Sequence, residues 1–202
     1  MRYLYIDTSS SYLYTAIVEN DTVLSEIKEE YGQSLSEVAL PKIVSMFEDN
    51  NLKPADIDKI IVVNGPGSFT GIRIGITIAK VYAWSLKIPI TTIYSLEAMA
   101  ISSNTHKYHV PMINARRGYV FAAIYDENNN VVLKPQHIKL DELKEHFNDI
   151  SDYEIITNDE FEDNFETSKY DPDMIKIVSM YKDKECVNPH AVNPEYLKLT
   201  EA

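Results

Sequence analysis

Residues 65–75 read Gly-Pro-Gly-Ser-Phe-Thr-Gly-Ile-Arg-Ile-Gly, the densest concentration of turn chemistry in the chain. Glycine lets a backbone turn tightly and come close to another group. Amides at a helix start, helped by the hydroxyls of Ser68 and Thr70, can hold an anion. Gly65, Gly67, Ser68, Thr70 and Arg73 are therefore candidate contacts for a phosphate or a nucleotide. The segment lacks the Gly-Lys-Ser/Thr ending of a P-loop and does not fit GxGxxG. A tight turn with close packing accounts for the same residues. Gly71 and Gly75 are four apart, so they share a helix face that a second element can approach closely. Residue chemistry leaves both uses open.

Two further groups stand out. Asp7-Thr8-Ser9 follows a short apolar run, and an acid followed by hydroxyls there suits a metal and phosphates or, equally, a capped turn. Asn114-Ala115-Arg116-Arg117-Gly118 holds two of the chain's four arginines, Arg73 and Arg2 being the others. Arginine is the planar, bidentate choice for phosphate or carboxylate, so Arg116 and Arg117 form an anion-binding turn or a solvated one. Metal chemistry finds no support: there is no HExxH and no Cys/His cluster of metal-binding spacing. Asp56, Asp58 and Glu97 have no recognisable spacing. His106 and His109 lack a third ligand and are expected in a loop or at a strand edge. Cys186 is the single cysteine, which fits a reducing compartment.

The elements that position these groups follow from periodicity. Tyr3–Asp7 is a buried strand; Leu13–Glu19 and Thr22–Lys28 alternate, with Asn20-Asp21 as the hairpin turn between them. Ser34–Asn51 has helical spacing at Leu35, Val38, Ala39, Ile43, Met46 and Phe47. Ser34 with Glu37 resembles a capping box, and Pro41 should kink or break the helix. Lys59–Asn64 is a strand and Thr70–Leu86 a buried helix. Ile90–Tyr94 is a strand, and Ser95 caps a helix to about Ser102. Residues 103–109 are polar and mark a domain crossing. Val110–Asn114, Tyr119–Tyr125, Val131–His137 and Tyr153–Thr157 are further strands, Asp141–Phe147 is a helix, and Met174–Met180 is either. This order predicts an α/β fold with a mixed sheet, divided into residues 1–105 and 106–202.

Charge narrows the function. There are 19 Lys and Arg against 31 Asp and Glu, a net of −12. Residues 141–173 alone hold 13 acids and 2 lysines. A broad basic surface for nucleic acid is therefore excluded, though a local basic site is not. No apolar run approaches the ~18 residues of a membrane span, and Asp7 interrupts any signal-like start; a cytoplasmic protein is expected.

Read together, Ile6-Asp7-Thr8-Ser9, Ser36-Glu37 with Leu40-Pro41, the glycine segment, Ala79-Lys80, Ser95-Leu96-Glu97-Ala98, Ala115-Arg116-Arg117-Gly118-Tyr119-Val120 and Asn193-Pro194-Glu195-Tyr196-Leu197 resemble the TsaB (YeaZ) family. The resemblance implies a two-lobed, actin-like (ASKHA, ribonuclease H-like) fold, here with a reduced second lobe. It implies a noncatalytic, dimerising subunit that supports the transferase TsaD, with the ATPase TsaE, in making N6-threonylcarbamoyladenosine at position 37 of tRNA. Contact with tRNA would come mainly through the complex, any ATP or ADP would sit at the complex interface, and the chain alone would homodimerise. TsaD supplies metal ligands from an HxxxH motif, which this sequence lacks. Departing from the family, Asn114 stands where Asp is frequent. On this basis Leu35, Val38, Ala39, Ile43, Met46, Gly71 and Gly75 are the expected partner surface. The alternatives are an ATP-binding enzyme of the same superfamily, a metal-dependent nuclease, and the family's older glycoprotease label, for which no nucleophile–base pair is visible.

Overall fold

The computed structural model describes residues 1–103 and 105–197. The chain forms two compact units. The first joins Met1–Ser95 to Asp173–Glu195; the second holds Leu96–Pro172 and, among the described residues after it, Tyr196 and Leu197.

The first unit is built on a five-stranded mixed sheet. Strands β1 (Arg2–Asp7), β2 (Tyr12–Glu19) and β3 (Thr22–Glu30) are antiparallel, while β4 (Lys59–Gly65) and β5 (Ile90–Tyr94) run parallel to β1. The order is β3-β2-β1-β4-β5. Asn20 and Asp21 both have positive φ, the backbone that a two-residue hairpin turn requires. β4 is buried along its whole length, as its unbroken apolar run demands of a strand covered on both faces.

Two helices complete the layer. α1 (Leu35–Asp49) buries Leu35, Ala39, Ile43, Met46 and Phe47, and α2 (Phe69–Leu86) buries Gly71, Ile72, Gly75, Ile76, Ala79 and Ala83. Most of these join Leu4, Ile6, Ile17, Ile60 and Val62 of the sheet in one core, while Leu35 and Ala39 pack with Leu13. α1 runs as one helix through Pro41. Ser34 makes no side-chain cap hydrogen bond: residues Gly32–Ser34 already form a 3-10 turn, so Ser34 has helical backbone. α2 is not buried all round, because Phe69, Val81 and Trp84 are each more than half exposed.

α3 (Ser95–Ser102) leads into the second unit. There β6 (Tyr108–Arg116), β7 (Tyr119–Asp126), β8 (Val131–Lys139), β9 (Tyr153–Ile156) and β10 (Thr167–Ser168) form a sheet of order β10-β9-β6-β7-β8. α4 (Leu140–His146) sends Leu143 into a core with Val110, Met112, Val120, Ala122, Ile124, Ile138 and Ile155. His109 lies buried in the central strand β6, not at a strand edge.

The division differs from the expected 1–105 and 106–202. α5 (Met174–Tyr181) and the segment after it belong to the first unit. Lys59, buried at the start of β4, gives the physical reason. Its Nζ donates to the carbonyls of Tyr181, Lys182 and Lys184 at 3.0, 3.0 and 2.7 Å, so a buried cation holds the end of α5. Three carbonyl acceptors offset the cost of burying that charge, and cations suit helix C-termini.

Candidate functional site

Asp7, Thr8 and Ser9 leave the carboxyl end of β1, and the glycine segment leaves the carboxyl end of the adjacent parallel strand β4. The two turns lock together. Ser68 N donates to Ser9 O at 2.7 Å. Thr8 Oγ1 donates to Gly71 O at 2.7 Å and accepts from Gly75 N at 2.9 Å. A Cβ on Gly67 would sit 2.2 Å from Ser9 O, and one on Gly71 2.1 Å from Thr8 O. Both glycines are thus required by backbone standing directly against backbone. At Gly75 the near atom is Thr8 Oγ1, and at Gly65 it is the carbonyl of Glu195. Ser68 caps α2, accepting from Gly71 N, and Ser95 Oγ donates to Pro66 O at 2.5 Å.

Asp7 is fully enclosed. Its carboxylate accepts from Ser9 N at 2.8 Å and from Tyr5 OH at 3.4 Å. Burial nonetheless wins and pushes its pKa up from the ordinary carboxylate value, against the lowering effect of the Ser9 and Tyr5 hydrogen bonds. The groups expected to face a phosphate, Thr8 and Ser9, are therefore spent on holding the turn. Beside the clasp lies a cleft of about 460 Å³ lined by Ser10, Ser11, Gly32, Ser36, Ser68 and Thr70. Those hydroxyls fit a polar ligand or a phosphate group. Among the described residues no three His, Cys, Asp or Glu side chains converge as metal ligands.

The expected partner surface is corrected here. Leu35, Ala39, Ile43 and Met46 are at most 4% exposed, Gly71 and Gly75 are buried, and Val38 is half-buried. The apolar stripe of α1 is consumed by the core of its own unit, so it is not a surface. The outward face carries other residues: Leu40 and Val44 on α1 are 45% and 39% exposed, and Phe69 on α2 is 56% exposed. Arg73 lies one turn along, its guanidinium 3.6 Å from the centre of the Phe69 ring. Between the helices a groove of about 460 Å³ is lined by Leu40, Phe69, Arg73, Ile74, Thr77 and Ile78. The signal for this face was present in Leu40-Pro41 and in Phe69 with Arg73 four residues on, but periodicity ranked it below the stronger stripe.

Asp7, Thr8, Ser9, Gly65, Gly67, Ser68 and Thr70 are thus brought together, and Arg73 joins the outer face. Arg116 and Arg117 belong to the second unit. They form the β6–β7 turn, exposed and with φ of +69° and +55°. Asn114 Oδ1 accepts from Arg116 N at 2.8 Å and so shapes the turn.

Comparison with known proteins agrees with this geometry. A family model described as TsaD, tRNA N6-adenosine threonylcarbamoyltransferase, matches residues 22–171. The chain is 32% identical to the tRNA threonylcarbamoyladenosine biosynthesis protein TsaB of Bacillus subtilis (strain 168), covering all of this chain and 96% of that one. It is 30% identical to TsaB of Escherichia coli (strain K12) over 71% of this chain and 68% of that one. The solved structure of YeaZ from Pseudomonas aeruginosa superposes with a TM-score of 0.75 at 18% identity, over 97% of this chain and 99% of that one. A structure described as an uncharacterized protein with similarity to peptidase YeaZ from Pseudomonas aeruginosa gives 0.79 at 17% identity, over 98% and 99%. The fold is accordingly the α/β one shared with those two solved structures. With a relative matched over nearly its full length at that identity, the chain belongs to the TsaB (YeaZ) family.

Proposed function

We propose that this protein is a noncatalytic scaffold that binds TsaD and supports threonylcarbamoyl transfer to adenosine 37 of tRNA. The observation that carries the proposal is the outward face of α1 and α2. Leu40 and Phe69 are large apolar side chains left exposed around one groove, with Arg73 stacked on Phe69, and Val44 is exposed one turn along α1 from Leu40. Exposed apolar groups clustered this way mark an interaction surface, and aromatic and arginine side chains dominate interface energies. The clasp behind the face supports the same role. Its hydroxyls and amides fix α2 to β1, which keeps the face rigid for a partner. TsaE joins through the complex, and in the absence of TsaD the same face pairs two copies of this chain.

Size-exclusion chromatography with cognate TsaD, followed by assay of the modified nucleoside on tRNA, tests this. Leu40→Asp and Phe69→Asp should each weaken pairing at least about tenfold while leaving thermal unfolding of the chain unchanged. Pairing that survives both substitutions would place the interface elsewhere. The chain alone should show negligible ATPase and peptidase activity. A second reading, nucleotide binding, is favoured by the hydroxyl-lined cleft at Ser10, Ser68 and Thr70. Saturable ATP binding by this chain alone, lost on Thr70→Trp, would support it.

A further inference from the structure

The sheet of the second unit has one face filled by its core and another furnished differently. The register sets Phe121 opposite both Ile113 and His137, and Tyr119 opposite both Arg116 and Lys139. The rings of Tyr119 and His137 stack with centroids 4.7 Å apart and planes within 2°. Phe121 leans on the same imidazole at 5.2 Å. All three are half-buried. Nδ1 of His137 has no hydrogen-bond partner among the described residues. The one acid on β6, β7 and β8 is Asp126, at the end of β7 away from Tyr119. Residues 107–125 and 131–140 contain Lys107, Arg116, Arg117, Lys134 and Lys139 and no acid. Residues 141–173 of the same unit hold 13 acids. Asp159 and Glu160 meet Asn114, where Asp159 accepts from the Asn114 amide at 2.7 Å; they mark an acidic border on the β9 side.

We infer that this face is a stacking platform for an unpaired RNA loop, a contact that rests on the tRNA role proposed above. Unpaired bases stack on aromatic rings displayed by a sheet, typically about two or three at a time. Tyr119, Phe121 and His137 supply the rings. Arg116, Arg117 and Lys139 lie at one end of the same strands to take phosphates, and the acidic border turns the backbone away from β9. A protein partner fits less well, because the rings lie among cations rather than in an apolar patch.

The test measures fluorescence anisotropy of a labelled anticodon stem–loop RNA carrying unmodified adenosine 37, against the full chain alone and in complex with TsaD. A fully paired RNA duplex of the same stem is the control. The loop RNA should bind in preference to the duplex. Tyr119→Leu should weaken it about tenfold, with Tyr119→Trp restoring it. Arg117→Ala should lower the slope of log affinity against log salt by about 0.7. Circular dichroism confirms that each variant folds, and the arginine variant, on an exposed turn, keeps the test sound if the tyrosine variant does not. Loop binding unchanged in both variants, or no binding by either chain or complex, overturns the platform. So does a result in which both variants weaken TsaD pairing and leave RNA binding intact, which makes the face a protein dock. TsaD pairing of the unmodified chain is followed in the same samples. If it is absent, the scaffold role fails on its own, separately from the RNA result.

Discussion

Gly71 and Gly118 sit in the two motifs that most invite a phosphate, and they are glycines for unlike reasons. A methyl group at Gly71 would fall 2.1 Å from the Thr8 carbonyl, whereas one at Gly118 would meet nothing within 4 Å. Gly71 is a spacer between two backbones; Gly118 serves its φ of +77°. The surrounding polar groups divide the same way. Around Gly71, Thr8 Oγ1 is engaged on both sides and Ser9 O is taken by Ser68. Around Gly118, two arginines stand in solvent. A motif's polar groups are available for chemistry only where packing has not already used them.

Substitutions sharpen or break this contrast. Gly71→Ala should cost most, about 3 kcal/mol, because the added methyl would meet the backbone carbonyl of Thr8; a urea midpoint within error of the unaltered chain would show that the clasp yields. Thr8→Val keeps the shape and removes both hydrogen bonds of Oγ1, and should cost about 1.5 kcal/mol by the same measurement. Gly118→Ala pays only for left-handed backbone, about 1 kcal/mol, and Gly118→Asn should recover part of that. If either matched the loss at Gly71, the distinction between spacer and turn would be gone. Arg117→Ser should stay within about 0.5 kcal/mol; a larger loss would mean the arginine is structural.

Asp7→Asn should act in the opposite direction. Burial raises the Asp7 pKa in the folded chain, so over the interval above the ordinary carboxylate value the folded state binds more proton than the unfolded one. Stability from this group is then present in acid and is lost as pH rises through the raised pKa. The asparagine variant should match the parent in acid and melt higher at neutral pH. A neutral-pH melting temperature below the parent's would show that the charged carboxylate is needed.

The sheet of the first unit was legible because its signals are local. Alternation marks β2 and β3, Asn20-Asp21 marks their turn, and unbroken apolar runs mark β1 and β4. What the α1 stripe meets was not legible. Periodicity shows that Leu35, Ala39, Ile43 and Met46 share a side, but not whether a sheet or a partner covers it; here the sheet does, and Leu40 and Val44 remain outside. The clasp was half visible: Gly71 and Gly75 did imply close approach, but nothing named Thr8 as what approaches. The Tyr119–His137 stack depends on strand register across β7 and β8, and the two-residue β10 has no pattern of its own.

The anchoring of α5 by Lys59 bears on the order in which the protein is made. Most of the second unit, Leu96–Pro172, is inserted in the first, emerging from the ribosome after β5 and before the segment that completes β5's own unit. Val187 N then donates to Ile90 O and Glu195 N to Asn64 O, each at the sheet's late-filled positions. Domains tend to fold as they emerge, so here the inserted stretch packs while the earlier-made unit waits, its buried lysine without acceptors, for Asp173–Glu195.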